Sequence, residues 1–290
     1  MTTPTSLRGD SSEYDAVDQP SLASFWSLTP GQREAVLLDG ILQTHAWHFT
    51  RNRAYQQTVA ARGVGPSLDA GALARVLRPT SQTFKSYIDL LGTPFPQDRP
   101  LEFLGWLADQ LSIELPRARF SRFRPRYGSL EALLRAIEAI FADLGLEILT
   151  SSGTSGRATI LVRNQQALAR TTESFYLSFQ RYFAMQADHR AIFIMPRQTR
   201  IAMARMAQFS TQGIGLAPER VHFTIPFVAQ PDQVRIRAGR TWRSGWAGMV
   251  ERRLWHPFMH WMGDHVVTPR AGQSTVSLLR PAAAARENVL

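Results

Sequence analysis

The sequence predicts an α/β domain with a mainly parallel sheet flanked by helices. Three observations lead there. Stretches with apolar residues at three- and four-residue spacing alternate with short β-type runs, the runs are bounded by turn residues, and no internal repeat or heptad pattern interrupts the alternation. The 290 residues are 44% hydrophobic, enough apolar mass for a large single domain or for two smaller ones.

Residues 1–21 are rich in Ser, Thr, Asp and Pro without apolar periodicity and read as a tail, so the domain is expected over 22–290. Ala35, Val36, Leu37, Ile41, Leu42 and Ala46 mark an amphipathic helix over 30–49. Further helices are expected at 101–111, 130–143, 165–183 and 199–212. Strands are expected at 146–149, 159–162, 191–195 and 221–228. A tryptophan-rich apolar segment at 242–261 and a helical stretch at 274–286 follow. Asn288, Val289 and Leu290 read as the opening of another strand, so the domain is expected to be incomplete at its end.

Composition narrows the chemistry. With no cysteine, neither a disulfide nor an acyl thioester can form on these residues. No stretch approaches the roughly 20 apolar residues of a spanning helix, and the polar, acidic start is unlike a secretory signal. The chain therefore reads as cytoplasmic, with no transmembrane segment.

The formal charge of +10 raises nucleic acid as a partner, since clustered cations displace counterions from phosphates. Its distribution argues for none. Lys85 is the only lysine, and the densest basic stretch holds Arg117, Arg119, Arg122, Arg124 and Arg126 around Phe120 and Phe123. An irregular connector anchored by its phenylalanines accounts for that stretch, because nucleic-acid modules repeat such a signal.

The segment carrying most information is LEILTSSGTSGRATILVR, residues 146–163. Two apolar runs flank Ser151, Ser152, Gly153, Thr154, Ser155, Gly156 and Arg157. Glycines let several N–H groups turn toward one anion, hydroxyls add donors and arginine adds charge, a composition suited to polyphosphate. A plain hairpin turn has the same composition, and both readings stand on these residues alone. The Walker type is excluded by the missing Gly-Lys-Ser/Thr ending.

Ile148, Ser151 to Gly156 and Ala158 resemble the signature loop of the adenylate-forming superfamily, except that Thr159 stands where that family carries Lys or Arg. Within the superfamily, the chain is similar to the acyl-protein synthetase and phenylacetate-CoA ligase branch. The similarity lies in His45, Phe49, Asn52 and Tyr55, in Pro79 to Lys85, and in residues 191–196 with the helix after them.

The resemblance implies the N-terminal domain of an adenylate-forming enzyme. Such an enzyme uses ATP and Mg2+ to convert a fatty or aromatic carboxylic acid to an acyl adenylate, then transfers the acyl group to a protein or to coenzyme A. The loop from Ser151 to Arg157 would hold the nucleotide, with no resident metal; catalytic residues stay unassigned. The family's Tyr-Gly-x-Thr-Glu, Thr-Gly-Asp and C-terminal lysine motifs have no counterpart here. A non-catalytic nucleotide-binding remnant or partner subunit therefore stands as an alternative, as does a basic protein of RNA or a membrane surface.

His256, His260 and Asp264 recur at four-residue spacing beside His265, which on a helix shares one face and admits a metal. Interspersed with Trp255, Phe258, Trp261 and Met262, they also suit half-buried packing. With Arg252 and Arg253, the same stretch suits a membrane surface.

Overall fold

The computed structural model describes residues 22–78, 83–151, 157–225 and 227–284. The chain divides into two compact units, Met1–Tyr127 and Gly128–Leu290.

The first unit is helical: α1 (Leu22–Ser27), α2 (Pro30–Arg51), α3 (Arg53–Ala60), α4 (Leu73–Val76), α5 (Tyr87–Leu91) and α6 (Pro100–Gln110). Thr29 starts α2 with a capping box. Its hydroxyl accepts from the Gln32 N–H, the Gln32 carboxamide accepts from the Thr29 N–H at 2.9 Å, and Pro30 occupies the first turn where no donor is needed. The chain turns sharply at Asn52. That side chain accepts from the Tyr55 N–H at 2.8 Å to cap α3 and donates to the Gln110 carbonyl at 2.6 Å, so one buried amide fixes the ends of three helices. Tyr87, Phe103 and Trp106 form the aromatic centre of this unit, with ring centroids 5.4–5.6 Å apart and the Trp106 indole donating to Ser86. In the connector after α6, Phe123 is buried, Arg119 is half-buried, and Arg117, Arg122, Arg124 and Arg126 are exposed, with Arg126 pairing Asp98 at 3.0 Å.

The second unit contains α7 (Leu130–Ile140), β1 (Leu146–Thr150), β2 (Ile160–Asn164), α8 (Gln165–Phe183), β3 (Ala191–Pro196), α9 (Ala202–Ile214), β4 (Val221–Ile225), α10 (Pro231–Ala238), α11 (Gly245–Val250), α12 (His256–Met262) and α13 (Thr268–Ala284). Leu130, Leu133, Leu134 and Ile137 repeat every three or four residues and put one face of α7 wholly inside. Gly213 on α9 lets that helix approach α8, since a Cβ there would come within 2.3 Å of the Tyr176 ring.

The architecture is mixed α/β with helix predominating, and the expected mainly parallel sheet is not what the strands build. Among the described residues they form two separate pairs. β1 and β2 are antiparallel, with Glu147 opposite Arg163 and Leu149 opposite Leu161, while β3 and β4 are parallel. The reason is connection length. The link between β1 and β2 is too short for the dozen or more residues a crossover requires, whereas α9 provides one between β3 and β4. Residues 1–21 and 285–290 lie outside the described residues.

From Gly245 to Ala284 the backbone is helical without a break. Two π turns, Glu251–Trp255 and Gly263–Val267, separate α11, α12 and α13. Each is followed at once by a helix with proline at its second position, Pro257 and Pro269. Proline supplies no N–H and its ring crowds the carbonyl four residues back, so a wider turn closed five residues back accommodates it. The His256 and Thr268 N–H groups donate to the carbonyls of Glu251 and Gly263, five residues earlier.

The first π turn also presents Glu251 to α10. Its carboxylate, buried, receives Arg235 at 2.8 and 3.1 Å and the Arg243 N–H at 3.1 Å. Burial alone would raise the pKa of Glu251, but these donors outweigh it and hold the carboxyl below the ordinary glutamate range. A lowered folded-state pKa contributes stability that is complete above the unfolded value of about 4.3 and is lost as pH falls through the folded value. We predict that Glu251→Gln costs about 3 kcal/mol near neutral pH, the lower end for a broken buried pair. Below about pH 4 the loss should shrink, because wild type then forfeits the same contribution. Urea unfolding at both conditions checks this; equal losses would disprove the linkage.

Candidate functional site

The loop singled out by sequence joins β1 to β2. Ser152, Gly153, Thr154, Ser155 and Gly156 lie outside the described residues, so the structure speaks to the loop's root and surroundings. Ser151 and Thr159 close the root: the Ser151 N–H donates to the Thr159 carbonyl at 3.0 Å and the Thr159 N–H to the Ser151 hydroxyl oxygen at 2.9 Å. Arg157 is exposed. One residue before the root, the Thr150 N–H donates to the Arg200 carbonyl at 2.8 Å, and Thr150 forms a single parallel bridge with Ile201. Thr199 bridges on to Ala229. Arg200 and Ile201 are thereby held beside the end of β1, and Thr199 beside Ala229.

Arg200 locks this arrangement through its side chain. Its guanidinium donates to Glu131 at 2.8 Å, grips Glu138 with both Nη atoms, one at 2.6 Å, and reaches the Ile148 carbonyl at 3.2 Å. Glu138 accepts from the Ile148 N–H at 3.0 Å as well. Burial works against the charge on Arg200, but the two carboxylates more than compensate and hold it above the ordinary arginine range. Glu131 and Glu138 are seven residues apart on α7, two helical turns, and so present their carboxylates on one side.

Next to this network is a polar cleft of about 460 Å³, within the range of small-molecule sites. Glu131, Glu138 and Glu147 line it together with Arg135, Arg197, Arg200 and Arg205. Arg135 pairs Glu131 at 2.6 Å and Arg205 pairs Glu147 at 3.1 Å. Four arginines against three glutamates leave one cation in surplus. Arg197, exposed on the connection after β3, has no carboxylate partner among the described residues.

The other segments behind the family resemblance have distinct positions. His45 and Tyr55 meet in the first unit. The Tyr55 hydroxyl is 2.7 Å from His45 Nδ1, and His45 Nε2 is 2.8 Å from the Gly65 carbonyl. A carbonyl only accepts, so Nε2 carries the proton and Nδ1 accepts from the phenol. With Asn52 at the joint of α2 and α3, this set ties the helical unit together. His45 and Tyr55 also line an apolar cavity of about 420 Å³ with Val36, Leu37 and Ile41. Burial raises the Tyr55 pKa, against the pull of Arg78, whose guanidinium lies 5.1 Å from the ring centroid. Of residues 79–85, positions 79–82 lie outside the described residues, and Thr83 to Lys85 form the turn into α5.

Near the end of the chain, His256 and His260 touch through their Nε2 atoms at 3.1 Å, His265 Nδ1 sits 3.1 Å from the Trp261 carbonyl, and Asp264 turns toward Arg237 at 3.9 Å. Among the described residues no three His, Asp or Glu groups are placed to hold a metal together. The sequence reading missed the cleft and its arginines. The spacing of Glu131 and Glu138 on a predicted helix was the available signal.

No family model matches the chain, no curated protein matches it in sequence, and no solved structure matches it in fold.

The central role of Arg200 leads to a specific expectation. Arg200→Met leaves Glu131 and Glu138 without their shared cation and should destabilise the chain by about 3 kcal/mol. Adding Glu131→Gln and Glu138→Gln should restore more than half of that, since neutral amides need no counter-charge. Chemical denaturation of the single and triple variants reads both. A triple variant no more stable than Arg200→Met would refute the assignment.

Proposed function

We propose that the chain binds ATP at the loop from Ser151 to Arg157 and the adjoining cleft, and serves the activation of a carboxylic acid. In that reaction a carboxylate oxygen of a fatty or aromatic acid attacks the α-phosphorus, the bond to the β-phosphate oxygen breaks, and pyrophosphate leaves. The observation carrying the reading is the surplus cation of a cleft lined by Arg200, whose carbonyl receives the Thr150 N–H one residue before a Ser/Gly loop. A hydroxyl-rich segment rooted at Ser151 and Thr159, together with an arginine of the cleft, Arg197, that has no carboxylate partner among the described residues, is a chemistry that grips outer phosphates.

Mg2+ would enter with the nucleotide, held mostly by phosphate oxygens and water; Glu138 and Glu147 are engaged by arginines. The acyl group would pass to a protein or a thiol such as coenzyme A; having no cysteine, these residues cannot carry it as a thioester themselves. The sequence lacks the ribose-binding and lysine motifs that the family resemblance implies for turnover. Binding is therefore the primary readout, and a nucleotide-binding partner subunit is the alternative.

Titration calorimetry with ATP and AMP tests the proposal. Arg197→Ala and Arg157→Ala should each weaken ATP by about tenfold, the worth of a hydrogen bond to a charged group, while AMP changes little because it lacks the outer phosphates. Failure of ATP to bind, or equal loss for both nucleotides, would overturn the site. Pyrophosphate released on adding a panel of fatty and aryl acids separates the enzyme from the partner subunit.

A further inference from the structure

The long helix after α10 turns one face inward and leaves an aromatic face outside. Gly248, Glu251, Gly263 and Ala271 are buried along it. On the opposite side Leu254 (65% exposed), Phe258 (47%) and Trp261 (52%) follow one another at four- and three-residue spacing, with Trp255 (50%) beside them and Trp246 (75%) two turns earlier. The rings form a ladder: Trp255 meets Phe258 edge-on at 5.9 Å, Phe258 stacks on Trp261 at 6.4 Å, and Trp261 stacks on His265 at 5.6 Å. The rings of Trp255, Phe258 and Trp261 brace one another and leave about half of each one's area to solvent.

An exposed apolar strip of this kind marks a docking surface. Its charges identify the occupant. Between Gly245 and Ala284 the helix carries Arg252, Arg253, Arg270 and Arg280 against Glu251 and Asp264. Glu251 is buried with Arg235, and Asp264 faces Arg237. The four arginines are exposed. No helix of the described residues is long and apolar enough to cross a bilayer. A helix with tryptophan and phenylalanine on one side and arginines beside them suits the plane of the headgroups, where indole rings partition and cations meet lipid phosphates.

We infer that the aromatic face of the helix from Gly245 to Ala284, centred on Leu254, Trp255, Phe258 and Trp261, docks on an anionic lipid surface. This stands apart from the nucleotide reading and neither requires it nor supports it.

Flotation of the purified full chain with vesicles is the test. Wild type should float with vesicles of phosphatidylcholine mixed with phosphatidylglycerol and far less with phosphatidylcholine alone. Phe258→Ser with Trp261→Ser should abolish flotation. Arg252→Gln with Arg253→Gln should weaken binding to the anionic vesicles by about thirtyfold, the contribution of two basic residues near such a surface. All substituted side chains are exposed, so thermal unfolding should match wild type; Trp246→Ser is a milder substitution on the same helix should the double variant lose its fold. Equal flotation with both vesicle types, no flotation, or undiminished flotation of the aromatic variants would overturn the inference. So would a wild-type dimer that the aromatic variants split while lipid is ignored, which would give the face to a second copy of the chain.

Discussion

The second unit is organised around a single guanidinium. Arg200 is the point at which α7, β1 and the segment after β3 meet, because it donates to carboxylates from two turns of α7 and to a β1 carbonyl while its own carbonyl receives a β1 N–H. Neither strand pair is wide enough to support such a junction by backbone bonding alone, since the bridges at Thr150 and Thr199 are single. A two-stranded pair is marginal without packing or polar support. The arginine fork provides that support in a fixed plane, which a lysine's point charge lacks. The same geometry spends Glu131 and Glu138 on structure and leaves the positive balance of the cleft to Arg197.

A comparable economy governs the helix that ends the described residues. Proline at positions 257 and 269 would kink an ordinary α-helix; the π turns before them absorb the missing donors and keep the chain helical. A wider turn also shifts the azimuth of every later side chain. Buried positions accordingly fall five residues apart across the first π turn, from Glu251 to the half-buried His256, instead of three or four. The inward face thus stays continuous from Gly248 to Ala271, and the aromatic residues stay together outside. Gly248 and Gly263 permit the close seating, since a Cβ would overlap the Arg243 carbonyl at the first and the Arg237 guanidinium at the second.

Much of the local structure was legible in the sequence, and the reasons are specific. Helix α8 spans the expected residues because Asn164 caps its first turn and the chain passes into the left-handed region at Ala184. Helix α7 was expected over 130–143 and ends at Ile140, where Phe141 leaves the helical region. The strands were placed within a few residues, but their pairing was not legible, because β-type composition says that a run pairs and not with which partner. The short link between β1 and β2 carried the hairpin information. The cleft was illegible for another reason: its arginines come from α7, α9 and the connection after β3, and only the fold collects them. His45 and Tyr55 were chosen for a resemblance, and their tautomer-fixing contact shows a structural employment that the resemblance did not specify.

On the proposed reading, the face on which position 159 lies matters, because the resembled family carries a cation there. In the hairpin, Glu147 faces Arg163 and Leu149 faces Leu161, and the bonds between Ser151 and Thr159 continue the same register. Directly opposed residues share a face, and faces alternate along a strand, so position 159 lies on the face of the hairpin that carries Glu147. Glu147 lines the cleft. A lysine or arginine at 159 would thus point to the side where the cleft already has Arg205 and Arg197, whereas threonine there keeps only the backbone bonds of the loop root. Arg205 is held by Glu147, which leaves Arg197 as the lining arginine without a carboxylate partner among the described residues. On the proposed reading, Arg197 on the connection after β3 supplies a charge that position 159 does not. A scan confined to the loop's own sequence would not find it.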